Sequence, residues 1–285
     1  MRVLTATALA CTLVVPALAA QGNCYPAADS READLFAHFA APLAYAPAQA
    51  PWVYRPGSLQ FGLEATLLPD ASDRMATPTT CRPGKGPENV NLLPGFVRPR
   101  LGYALGSGIL FEASWVPPVR INTVKANFVS VALSRTLALG DAGTLFTGRV
   151  HATIGSMHAP ITCPEDALAD SLSECYQGTK SNDRFSPNTF GAELALTFPQ
   201  AKGRFRPYIG GGYNILRPRF QVHFRNSQGT LDRRKVEVNL NRIAVFGGAT
   251  YAVSPTFLLS GEAYSTPADL VTARVRMTLV TGGRR

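Results

Sequence analysis

The sequence predicts an all-β fold: an antiparallel up-and-down β-barrel of about ten strands, or eight if the first segment or the 109–137 region is misread. Three observations predict it. From Ser58 onward apolar residues recur with period two, the period of a strand. The connections alternate between short turns and longer loops. Between turns the apolar faces run about 9 to 11 residues, the length of a tilted strand that crosses a membrane.

Composition agrees. Of 285 residues, 46% are hydrophobic and only 16% are charged, against about 25% charged in a typical soluble domain. That apolar content excludes a disordered chain. Gly (25) and Pro (22) punctuate the chain throughout. After the first twenty residues no uncharged apolar run approaches the roughly 18 needed for a membrane-spanning helix.

Residues 1–20, MRVLTATALACTLVVPALAA, read as a signal peptide. Arg2 supplies the positive start, an apolar stretch follows, and Ala17-Leu18-Ala19 fits small-x-small cleavage. Cys11 leaves with the signal, so Cys24, Cys81, Cys163 and Cys175 remain. An even number in an oxidising compartment predicts disulfides. Cys163 and Cys175 share one polar stretch and form the best pair. Cys24 and Cys81 fall on opposite sides of the membrane unless the segment carrying Cys24 threads the barrel. No Cys-x-x-Cys occurs, so neither a metal nor a cofactor is expected.

Residues 21–56 read as a periplasmic tail. A short helix fits Ser30 to Ala40, with Leu35, Phe36 and Phe39 on one face. The run APLAYAPAQAPWVYRPG then carries Pro42, Pro47, Pro51 and Pro56, an extended linker.

The barrel, 57–281, starts with segment 58–68, where Leu59, Phe61, Leu63, Ala65 and Leu67 oppose Gln60, Glu64 and Thr66. In 96–105, Val97, Leu101 and Tyr103 oppose Arg98 and Arg100. Segments 109–116, 124–137 and 144–156 continue the alternation. In 188–199, Phe190, Ala192, Leu194, Leu196 and Phe198 oppose Gly191, Glu193 and Thr197. In 204–216, Phe205, Ile209, Tyr213 and Ile215 oppose Arg206, Tyr208 and Asn214. Segment 241–252 follows. In 256–264, Phe257, Leu259, Gly261 and Ala263 oppose Ser260, Glu262 and Tyr264. In 271–281, Val271, Ala273, Val275, Met277 and Leu279 oppose Thr272, Arg274, Arg276 and Thr278. Residues 282–285 form a C-terminal tail.

A soluble barrel with its apolar face inside would show the same alternation. Aromatics tilt the reading toward a membrane. Tyr103, Phe146, Phe198, Phe205, Tyr251 and Phe257 gather beside the short turns, as a periplasmic girdle would. Trp115, Phe190 and Tyr213 lie toward the other interface. The polar faces mix Gly, Ser and Thr with charges of both signs, which suits a narrow lumen better than a solvated exterior.

On residues RFRPYIGGGYN (204–214) and GGATYAVSPTFLLSGEAYSTPADLVTARVRMTLVTGG (247–283), the chain resembles the porin-like, OmpA-type outer-membrane β-barrel family, over roughly 58–281. The resemblance implies a fold and a location in the bacterial outer membrane, with no single activity. The match departs at the C-terminus. Such barrels often end on an aromatic residue, whereas this chain ends Gly282-Gly283-Arg284-Arg285.

Parity places Glu64, Glu112, Glu193 and Glu262 in the lumen with Arg98, Arg100, Arg149, Arg206, Arg274, Arg276 and His151. So many charges in a barrel of about ten strands must pair, because small barrels are filled by side chains. A structural plug with an envelope or surface-interaction role is the expected function. A narrow pore for small anions is the alternative, and an outer-membrane hydrolase the second alternative. No Gly-x-Ser-x-Gly, His-Glu-x-x-His or P-loop occurs, so no enzyme is expected. Arg217, Arg219, Arg225, Arg233, Arg234 and Lys235 lie in a hairpin above the membrane, where phosphorylated lipid A is a candidate contact. Outer-membrane lipids, lipopolysaccharide included, are the expected partners. Nucleic acid is not, and a monomer is expected.

Overall fold

In the computed structural model, residues 22–140, 142–200 and 204–282 are described. The signal peptide, and all but Gly282 of the C-terminal tail, lie outside them. Ten strands close into one antiparallel barrel: Leu59–Leu67, Gly95–Gly106, Ile109–Val116, Val124–Leu139, Thr144–Ala159, Thr189–Thr197, Phe205–Leu216, Leu240–Ala252, Phe257–Thr266 and Leu270–Val280. Each pairs with its sequence neighbour, and the tenth returns to the first through Phe61↔Leu279 and Glu64↔Arg276. These are the ten segments the period-two pattern marks.

The barrel is turned outward relative to a soluble protein. In the last strand Val271, Val275, Met277 and Leu279 are 47–64% exposed, while Arg274 and Arg276 are at most 2% exposed. The same holds around the wall, where Leu63, Leu101, Val131, Leu133, Leu194 and Ile209 are exposed. A continuous apolar belt of this kind needs lipid around it. The girdle residues Tyr103, Phe198, Phe205 and Tyr251 are exposed beside the short turns, and Phe146 and Phe257 half-exposed there. Trp115, Phe190 and Tyr213 are exposed toward the long-loop rim. Arg135 also faces outward, four residues before the strand ends at Leu139, within reach of the short-turn interface for a long side chain.

Phe246 and Phe128 lie among the aromatic side chains that point into the barrel. Phe246 lies over Gly210, where a Cβ would come within 2.3 Å of its ring, and sits 6.4 Å from both Tyr208 and Tyr264. Phe128 joins an apolar cluster at the long-loop mouth with Phe36, Ala40, Leu43, Phe185 and Phe220.

That cluster corrects the reading of the 21–56 tail over its described residues, 22–56. They are not a free periplasmic tail. Helix Arg31–Ala40, capped by Ser30, packs in the long-loop mouth, with Phe36 against Phe185 and Phe220 at 5.9 and 6.2 Å. After one 3-10 turn, Ala41–Leu43, the chain runs down the lumen and leaves at the short-turn rim, where Gly57 N donates to Ala104 O at 2.9 Å. Cys24 is disulfide-bonded to Cys81 in the first long loop, and its backbone bridges to Val236. Cys163 and Cys175 form the second disulfide. Residue 22 therefore starts at the long-loop rim, opposite the side expected of a periplasmic tail.

The alanines explain the descent. Ala41, Ala44, Ala46, Ala48 and Ala50 are all 0–1% exposed, small side chains that let the backbone approach the lumen wall and its arginines closely. Prolines at 42, 47 and 51 carry no N–H that would need an acceptor there.

Candidate functional site

The lumen is built by alternation on strands. Glu64 lies across from Arg98 and Arg276, Arg149 from Glu193, and Glu262 from Arg274. Glu64 pairs with Arg98 at 2.6 Å and with Arg100. Glu112 pairs with Arg100 and Arg149, each at 3.2 Å, and with Arg276 at 3.0 Å. Glu193 pairs with Arg149 at 3.0 Å and lies 3.3 Å from His151. His151 fits because Gly191 across from it has no side chain: a Cβ there would meet its ring at 2.5 Å. Glu262 pairs with Arg274 at 3.5 Å and accepts from Tyr208 Oη at 2.9 Å. Arg206 stacks on Trp52, its guanidinium carbon 3.9 Å from the ring centroid. The structure thus brings the predicted lumen charges together inside the barrel, with Arg206 against Trp52 of the threaded segment.

Six arginines face four glutamates, and the threaded segment takes up the difference. The extended segment makes few internal backbone hydrogen bonds, Ala46 N to Ala44 O at 2.9 Å being one, and its buried carbonyls must find donors from the barrel wall. Every carbonyl from Pro42 to Pro47 finds one. Pro42 O accepts from Arg274 at 3.0 Å, and Leu43 O from Thr153 Oγ1 at 2.9 Å. Ala44 O accepts from Arg274 at 3.3 Å and Tyr45 O from Arg149. Ala46 O accepts from Arg100 and Pro47 O from Arg276, each at 3.0 Å. The segment's amides are answered in turn: Ala48 N donates to Glu262 at 3.0 Å and Ala50 N to Thr250 Oγ1 at 2.8 Å.

Tyr45 is the centre of this contact. Its ring is fully buried, with the guanidinium carbons of Arg100, Arg98 and Arg149 at 4.0, 5.0 and 5.1 Å from its centroid. The π-face is the partner that lets three cations converge.

A second clamp holds the plug helix at the mouth. Glu32 accepts from the backbone N–H groups of Thr80, Thr79 and Cys81 at 2.6, 2.7 and 3.1 Å, and from Thr79 Oγ1 at 3.0 Å. Burial pushes its carboxyl up, but these backbone donors outweigh that and hold it below the usual glutamate range.

The basic hairpin is largely self-satisfied. Arg219 pairs with Glu237 at 3.1 Å and Arg234 with Asp232 at 2.6 Å. Arg217 donates to Leu216 O and Leu240 O, and Arg225 to Gly229 O at 2.9 Å. Arg233 and Lys235 are exposed. Among the described residues, no group of three or more His, Cys, Asp or Glu side chains is placed to hold a metal ion.

Sequence reasoning missed Tyr45, Trp52, Glu32 and the carbonyls of 42–47. The available signal was the alternation of alanine at 44, 46, 48 and 50, a small-residue period that a free linker does not need.

No family model matches the chain, and no curated protein matches it. Among solved structures it is similar to Ail, the attachment invasion locus protein of Yersinia pestis, at 9% identity, covering 79% of this chain and 97% of that one, with a TM-score of 0.30. It is similar to the toluene transporter TodX of Pseudomonas putida at 10% identity, covering 79% and 68%, with a TM-score of 0.34. A de novo designed transmembrane β-barrel aligns at 10% identity, over 80% and 98%, with a TM-score of 0.25. These scores are low, and the fold assignment rests on the closed pairing of the ten strands.

Proposed function

We propose that the chain is a bacterial outer-membrane β-barrel that is kept closed by its own N-terminal segment and has a structural or surface-interaction role without catalysis. The observation that carries this reading is the unbroken run of hydrogen-bonded carbonyls from Pro42 to Pro47. A conducting lumen would leave those donors facing water, not a polypeptide. The outward apolar belt and the signal-like N-terminus support the location. The disulfide-pinned loops above the belt supply a rigid exposed surface. Against catalysis stands the burial of His151 and all four lumen glutamates, each at most 5% exposed.

Cell fractionation with unboiled gel electrophoresis tests the proposal. The mature chain is expected in the outer-membrane fraction with heat-modifiable mobility. Recovery as a soluble monomer without detergent would reject it.

A further inference from the structure

Above the apolar belt, on the outer face of the long-loop rim, one row of side chains runs across neighbouring strands. Arg120 lies opposite Lys125, Lys125 opposite His158, and His158 opposite Arg184. Arg184 lies opposite Gln221, and Gln221 opposite Lys235. Arg120 and Lys125 are directly opposed cations, with Cβ atoms about 5 Å apart, and like charges so placed repel; His158 and Gln221 space Lys125, Arg184 and Lys235 along the rest of the row. Among the described residues, no carboxylate lies within 4 Å of Arg120, Lys125, Arg184 or Lys235. The neighbouring acids are already engaged: Glu237 by Arg219 and Asp232 by Arg234. Asp183, beside Arg184 in sequence, turns inward and is fully buried.

The depth of the row identifies what it faces. Lys125 lies four residues above Val129, whose cross-strand neighbours Trp115 and Ile154 mark the top of the belt. At about 3.3 Å per residue and a tilt of about 45°, that is about 10 Å higher along the membrane normal. The headgroup zone extends about 5–7 Å beyond the hydrocarbon edge, so the long Lys and Arg side chains of the row reach back down to its phosphates. Asn127 and Ser156 form the intervening row, and a concavity runs between them and the Arg120–Lys125–His158 stretch.

We propose that this row is a docking surface for the phosphate groups of an anionic membrane lipid in the outer leaflet. The proposal rests on the membrane-barrel reading above. It moves the lipid contact from the self-paired hairpin arginines to a row whose cations have no acid of their own. A phosphate seated between opposed cations turns their mutual repulsion into shared attraction.

The test uses the full mature protein in nanodiscs of phosphatidylcholine with a fraction of diphosphoryl lipid A, read by native mass spectrometry of retained lipid. The wild type is expected to retain lipid A over phosphatidylcholine, and the Lys125→Ser/Arg184→Ser variant to bind it roughly thirtyfold more weakly. An Arg225→Ser control on the hairpin tip should bind like the wild type. Heat-modifiable mobility of each variant shows that its barrel is folded. Wild-type retention should also fall as salt rises, a measurement that needs no variant. Equal retention by wild type and double variant would overturn the proposal. So would equal displacement by inorganic phosphate at the lipid's own concentration, which would mark a general anion site. A wild type that does not enter discs at all would remove the barrel reading and the docking surface with it.

Discussion

Replacing Tyr45 by alanine tests how the lumen is held closed. The ring is fully buried and lies 4.0–5.1 Å from three guanidinium carbons. Truncating a buried aromatic costs about 3–5 kcal/mol in a packed interior. Each desolvated cation–π contact is worth up to about 2 kcal/mol and is part of that figure, since the three share one ring. The variant also leaves Arg98, Arg100 and Arg149 facing one another across a void. The segment's docked state should weaken by two to four orders of magnitude in equilibrium constant. Two assays read this: the temperature at which unboiled mobility is lost, and current across planar bilayers. Tyr45→Ala should lose folded mobility at a lower temperature and show flickering openings absent from the wild type. Tyr45→Phe is the discriminating control. The Tyr45 hydroxyl is buried with no hydrogen-bond partner among the described residues, so the phenylalanine variant should match the wild type or exceed it slightly. The reasoning is refuted if alanine and wild type melt together and conduct alike.

Further outcomes follow from the same contacts. Arg274→Ala leaves Glu262 without its guanidinium and should destabilise the barrel by about 3–5 kcal/mol, read in the same mobility assay. Removing the Cys24–Cys81 bridge, which spans 57 residues, should cost about 4 kcal/mol of closure entropy and expose residues near Cys24 to protease from the long-loop side. Non-reducing peptide maps should contain the Cys24–Cys81 and Cys163–Cys175 pairs and no crossed pair. Glu32 has a folded-state pKa below its unfolded value near 4.5. Its stabilisation is therefore complete above that value and is lost as pH falls through the lower, folded pKa. The mouth should become protease-sensitive in acid, and Glu32→Gln should weaken this dependence.

The wall of the barrel was legible because alternation is a local property. Strand 271–281 announces its register in five apolar and four polar residues, and the neighbouring strands repeat the signal. The lumen network was legible by the same parity, since Glu262 and Arg274 had to meet if both faced inward. The path of residues 22–56 was not. Prolines 42, 47, 51 and 56 carry the same local signal in a linker as in a threaded plug, because both run largely extended. What separates them is the surroundings, six carbonyls meeting donors from distant strands, and no local pattern encodes that. Cys24 and Cys81 held the decisive hint: their pairing is possible only if the segment passes through the barrel. The hairpin arginines show the opposite failure. Read as a string they form a basic patch, yet Glu237, Asp232 and nearby carbonyls absorb most of them.

The central claim is that residues 42–50 occupy the lumen. Thiol accessibility tests it most directly. Cysteine placed singly at Ala46 and Ala50, each at most 1% exposed, is challenged in membrane vesicles with a membrane-impermeant maleimide from either side. Leu172→Cys on an exposed loop, 94% exposed, serves as the fast reference. Protection of both positions until the barrel is heat-unfolded is the predicted result. Labelling of either at the rate of Leu172→Cys in the folded barrel would contradict it.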